Sequence, residues 1–245
     1  MLFIGVLVSA TLFVSGQNNE LFMTHTFSSL VALSIKSVEV TTTNGEITMN
    51  GINNSEAMVE MYVSPNNSGN FWSLFRKKHQ NNWSNEKIKQ TIEDDYTIDI
   101  KVERETLYAV AKPKNKGQQK LNISFKINVP KQVNSNLQTS NASIYISNLS
   151  GLQNFRTSNS SVTIENVSGK IAGNTSNASI MVTNSNNDID VKTSNGKITV
   201  SDCSGKIILR TSNDGVSLNN INGNIYATTS NSGITASKIN GELKI

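Results

Sequence analysis

The chain has 245 residues, a net charge of +4 and one cysteine, Cys203, so it has no intrachain disulfide and no metal site built on several thiolates. The mild basic excess is weak evidence for an anionic partner. Only 36% of residues are apolar and 16% charged, but the apolar ones recur at fixed intervals, which points to a repetitive fold and away from a disordered chain.

Residues 2–14 form an apolar run closed by Ser15-Gly16. The run is too short for a membrane span and fits the apolar region of a secretory signal, with Val14 and Gly16 before a cut at Gln17. No Lys or Arg precedes it, and the other reading is a buried first strand or helix. The expectation is a signal peptide over 1–16. The mature chain is then exported, to the periplasm, the cell surface or the medium, without a transmembrane span. No cysteine follows the run to carry a lipid anchor.

Residues 36–135 read as a β-rich region. Val38-Glu39-Val40 alternates, and residues 42–49 match 193–200 type by type, so one copy of a later repeat stands alone here. Residues 57–63, 96–102, 106–111 and 121–129 are further strand candidates by alternation and β-branched content. A short helix is expected over 85–95, because Ile88 and Ile92 lie four apart behind Ser84 as N-cap. Just before it, 71–83 mixes aromatic and basic side chains: Phe71, Trp72, Arg76, Lys77, Lys78 and Trp83. Aromatics beside cations suit a sugar, a lipid headgroup or an anionic polymer. The plainer reading packs Phe71, Trp72 and Phe75 on the sheet and leaves the lysines solvated. Nucleic acid uses the same chemistry but is not expected for an exported protein.

Residues 136–245 carry the strongest signal. Thr-Ser-Asn begins at Thr139, Thr157, Thr175, Thr193, Thr211 and Thr229, an 18-residue period without insertion. Counting from that threonine, position 6 is always Ile or Val. Positions 8, 15 and 17 are mostly aliphatic, so each rung holds two short half-buried strands. Position 11 (Leu149, Val167, Ser185, Cys203, Ile221, Ile239) is an apolar corner column, in which Cys203 reads as a small core residue. Position 13 (Gly151, Gly169, Asn187, Gly205, Gly223, Gly241) reads as a left-handed turn in every rung. The Asn column (Asn141, Asn159, Asn177, Asn195, Asn213, Asn231) is expected to hydrogen-bond rung to rung, the alternative being a flat polar array that binds a polymer. The fold class is therefore all-β: a parallel six-rung β-solenoid, two strands per rung, behind a mostly β N-terminal region with one short helix.

Catalytic chemistry is hard to find. The repeats contain no histidine, and Asp188, Asp190, Asp202 and Asp214 form no column. The Gly-Gly-X-Gly-X-Asp calcium pattern is absent, and neither metal nor cofactor is expected. Arg156, Lys192 and Arg210 at position 18 form a stripe interrupted by Asn174, read as a solvated edge with an anion-binding strip as the minority reading. The chain stops at Ile245 on an inward column, which suggests end-to-end stacking of copies.

Residues 193–209, echoed by Asn222-Gly223-Asn224-Ile225 and Asn240-Gly241, resemble the bacterial putative-adhesin family of β-helix proteins and the related head-GIN adhesins. The resemblance extends over roughly 36–245. It implies an envelope or surface protein, adhesive or concerned with envelope stress, and it brings no catalytic residues; the expected partner is a surface glycan or an envelope protein. A carbohydrate-active β-helix enzyme and a self-assembling scaffold are the alternatives.

Overall fold

The computed structural model describes residues 9–15, 20–53, 56–66, 83–115, 117 and 119–245. Its N-terminal half runs β1 (Ser9–Ser15), β2 (Glu20–Phe27), α1 (Ser29–Ser34), β3 (Ser37–Thr41), β4 (Ile47–Ile52), β5 (Ala57–Pro65), α2 (Asn85–Asp95), β6 (Tyr96–Glu103), β7 (Thr106–Pro113) and β8 (Leu121–Pro130). The repeats follow as β9 (Asn134–Gln138), β10 (Ile144–Ser147), β11 (Gln153–Arg156), β12 (Val162–Glu165), β13 (Ile171–Asn174), β14 (Ile180–Thr183) and β15 (Ile189–Lys192). They end with β16 (Ile198–Ser204), β17 (Ile207–Arg210), β18 (Val216–Asn222), β19 (Ile225–Thr228), β20 (Ile234–Asn240) and β21 (Leu243–Lys244).

All these strands fall into two sheets, ordered β1-β2-β5-β8-β4-β10-β12-β14-β16-β18-β20 and β21-β19-β17-β15-β13-β11-β9-β3-β7-β6. The repeat strands pair in parallel with the copy 18 residues on: Ile144 faces Val162, Ile180 faces Ile198, and Ile189 faces Ile207. That register puts positions 6, 8, 15 and 17 inside, where Ile144, Ile164, Ile189 and Leu209 are fully buried. The volumes fit across rungs as well. Phe155 is buried beside Gly173, where a Cβ would lie 2.7 Å from the phenyl ring. Gln153, the one polar residue at position 15, is fully buried and satisfied. It accepts from the Ser135 hydroxyl at 2.6 Å and donates to the carbonyls of Val133 and Gly151.

The first half belongs to the same stack. Strands β3 and β4 form the lone early rung, inserted between the β7–β8 rung and the β9–β10 rung. Antiparallel strands finish the N-terminal end, with β5, β2 and β1 on one sheet and β6 on the other. Helix α2 touches β6 on one sheet and β2 and β5 on the other, burying Ile88 and Thr91 between them. It starts at Ser84, whose hydroxyl accepts from the Lys87 amide at 3.2 Å. A second helix, α1, arises from residues with no helical periodicity and buries Ala32. In the last rung Ile234, Ile239 and Leu243 are half-buried and Ile245 is 77% exposed.

The corners correct the expected turn. A left-handed backbone occurs in every rung at position 10, at Asn148, Asn166, Asn184, Asp202, Asn220 and Lys238 (φ 50–59°). At position 13 it occurs only at Gly205, Gly223 and Gly241, and not at Gly151, Gly169 or Asn187. Position 13 favours glycine because the rungs touch there. A Cβ on Gly169 would lie 1.8 Å from the Gly151 carbonyl oxygen, and one on Gly223 would lie 2.0 Å from that of Gly205.

Candidate functional site

The Thr-Ser-Asn corner is built from the inside out. The threonines at 139, 157, 175, 193 and 211 are buried, and each hydroxyl donates to a carbonyl of the rung before, as from Thr193 to Ala178 at 3.0 Å and from Thr211 to Gly196 at 2.9 Å. The asparagines are exposed and form an unbroken ladder. Each Nδ2 donates to the Oδ1 one rung back at 2.5–2.7 Å, from Asn231 through Asn213, Asn195, Asn177, Asn159 and Asn141 to Asn44 of the lone rung. Their amides are therefore committed to one another along the rod.

A second ladder runs up the opposite corner on the left-handed residues. Asn166 donates to Asn148 at 2.6 Å and Asn148 to Asn50 at 2.7 Å; further up, Asn220 donates to Asp202 at 2.7 Å. The carboxylates of the repeats are likewise engaged separately. Asp188 accepts from the Lys206 amide, Asp190 from the Arg210 guanidinium at 2.7 Å, Asp202 from Asn220, and Asp214 from its neighbour Gly215. Cys203 is buried in the corner column, donates to the Ser201 carbonyl at 3.1 Å, and has its thiol pKa pushed up by burial. Such a thiol is a core group and a poor nucleophile.

The two outer faces of the repeats differ. The face carrying β10 to β20 is mainly Ser, Thr and Asn, with Tyr145 and Met181 exposed. The face carrying β11 to β21 is basic: Arg156, Lys170, Lys192, Lys206, Arg210 and Lys244 stand against Asp188, Asp190 and Glu242. Among the described residues only two of those cations are paired, Arg210 with Asp190 at 2.7 Å and Lys244 with Glu242 at 3.2 Å. This face also holds a groove of about 580 Å³ near the last rungs. Gly205 and Gly223 form its floor, and Lys206, Ile208, Asn224, Tyr226, Glu242 and Lys244 line its wall.

Three solved bacterial structures are similar to this chain. A putative cell adhesion protein from Clostridium sporogenes is 11% identical, with 94% of this chain and 100% of that one covered and a TM-score of 0.29. A putative adhesin from Bacteroides fragilis is 13% identical over 91% and 96%, with a TM-score of 0.36. A putative adhesin from Parabacteroides merdae is 11% identical over 96% and 95%, with a TM-score of 0.33. The chain is similar to adhesin-named proteins. No family model and no curated protein matches it. The fold rests on this chain's own columns and ladders.

An adhesin-like surface was expected at the aromatic and basic stretch. Of that set Phe71, Trp72, Arg76, Lys77 and Lys78 lie outside the described residues. Trp83 is half-buried against the core, and the Lys87 ammonium sits over its ring, 4.9 Å from the centroid. Its ring thus braces the start of α2. The structure brings together instead Tyr226, Ile208, Lys206 and Lys244, which the sequence reading had not singled out. The signal was available: position 16 runs Asp190, Ile208, Tyr226, Lys244, and two large apolar side chains on an outward column are out of place. Of the expected leader, 9–15 is strand β1, which among the described residues pairs with β2 alone, and the proposed cut at Gln17 lies outside them.

Proposed function

We propose that the chain is an exported, non-catalytic β-solenoid of adhesin type, which presents side chains along a rigid rod to a surface glycan or an envelope protein. The observation that carries this reading is the use made of its carboxylates. Asp188, Asp190, Asp202 and Asp214 are spread over three rungs, and each accepts from a different partner within the scaffold. The resemblance of 193–209 to adhesin repeats supports the same reading. Export rests on the apolar run at 2–14; cleavage there would remove β1, an edge strand, and leave every other pairing in place.

The test is retention of the full chain on immobilised envelope polysaccharides and surface proteins, with release of reducing ends followed in the same wells. Retention without turnover is expected. Turnover that disappears in Asp188→Asn or Asp190→Asn overturns the reading in favour of an enzyme. For export, the chain recovered from outside the cytoplasm should begin at Gln17.

A further inference from the structure

We propose that the groove floored by Gly205 and Gly223 binds one strand of an anionic polysaccharide, with Tyr226 as its stacking platform. The inference rests on the surface-interaction reading above and gives it a place and a ligand class. Gly205 and Gly223 stand where two rungs touch, and a Cβ on Gly223 would lie 2.0 Å from the Gly205 oxygen. With no side chain at either position, the corner between these rungs is left bare.

One wall then supplies what a sugar needs. Tyr226 is 47% exposed and stands in register with Ile208 on one side and Lys244 on the other, so ring and aliphatic chain make a continuous apolar patch across two rungs. The apolar face of a pyranose packs on such a patch, while the phenol and the Asn224 amide meet its hydroxyls. Two ammoniums flank the patch. Lys206 has no ion-pair partner among the described residues, and Lys244 is held only by the exposed Glu242. An acidic sugar satisfies Lys206 directly.

Nucleic acid is the other polymer that seeks aromatics among cations. It binds through several rings in succession, one per base, and the groove offers one ring. A glycan, which needs only one platform, fits better.

The experiment is calorimetric titration of the full chain with polygalacturonate, dextran sulfate, neutral dextran and oligothymidylate, at two salt concentrations. Carboxylated or sulfated polymer should bind and neutral dextran should not; the first two arms distinguish the acid group. Tyr226→Ala should weaken binding about tenfold, and Lys206→Gln should weaken it and flatten its salt dependence. Tyr145→Ala, on the other face, should leave it unchanged. Both tyrosines are about half exposed, and unchanged thermal melting confirms that the variants are folded. Anionic polymer that binds Tyr226→Ala as tightly as wild type overturns the site and leaves the adhesin reading standing. Tighter binding of oligothymidylate overturns the ligand class. Failure of every polymer to bind, while the chain is still retained on envelope material, overturns the inference alone; loss of that retention too overturns both.

Discussion

Glycine at position 13 gives the sharpest test of how the rungs are held. In Gly169→Ala the new Cβ would lie 1.8 Å from the Gly151 oxygen and 2.4 Å from its carbon, whereas real Cβ atoms keep at least 3.0 Å away. The backbone must open by about 1.2 Å. The amides beside it, Ser168 to Leu149 at 2.9 Å and Gln153 to Lys170 at 2.8 Å, would then stretch to roughly 4 Å and cease to be hydrogen bonds. Two lost ladder bonds at about 1 kcal/mol each, with the strain of overpacking at about 1–3 kcal/mol, outweigh the 0.4–1 kcal/mol that alanine gains by restricting the unfolded chain. The net expected loss is about 2–5 kcal/mol. Gly233 is the control: nothing lies within 4 Å of its Cβ position and its φ is not left-handed, so Gly233→Ala should be neutral or slightly stabilising. In urea unfolding followed by circular dichroism, a slope near 3 kcal/mol/M places the Gly169→Ala midpoint about 1 M below wild type. Coincident midpoints for the two variants would refute rung contact as the reason for the glycine column.

Three further outcomes follow from the same geometry. Asn177→Ala removes two ladder bonds of 2.7 Å on an exposed column and should cost about 1–2 kcal/mol in the same urea assay. The Cys203 thiol should resist a disulfide reagent in the native chain and react fully on unfolding. Because burial raises its pKa above the ordinary 9.0, the native state keeps its proton longer than the unfolded chain, and its stability falls as pH rises past 9.0; Cys203→Ala should lessen that alkaline loss. His25 behaves in the opposite sense. Burial lowers its pKa from 6.5, so native His25 is neutral, and the stability it permits is present above 6.5 and lost as pH falls from there through the native value. Melting temperature against pH should show less acid sensitivity in His25→Gln than in wild type.

The solenoid was legible because the 18-residue spacing is unbroken and its apolar columns hold with few exceptions, position 6 with none. The strands at 57–63, 96–102, 106–111 and 121–129 and the helix at 85–95 were legible for local reasons, alternation and an N-cap. The corner was misread because glycine answers two different demands. A left-handed backbone and a close approach both select it, and only the column of Asn and Asp at position 10 separates them. The order of the first rungs was beyond reach. Asn44 bonds to Asn141 across 97 residues, and nothing local says that β3 and β4 slip in above β7 and β8. Helix α1 has no periodicity to announce it. The Tyr226 groove needed two facts that sit in different columns, a bare floor at position 13 and an apolar pair at position 16, and only their adjacency in space makes them one feature.

The unvarying register has a genetic consequence. A deletion or duplication of 18 codons that begins and ends at the same point of the repeat restores the register of the columns: without 175–192, Thr193 lies on Thr157 and Asn195 on Asn159. The rod would then shorten by one strand spacing, about 4.8 Å, with its surface otherwise intact. Gain or loss of whole rungs thus changes reach in fixed steps while the Thr-Ser-Asn ladder keeps its register.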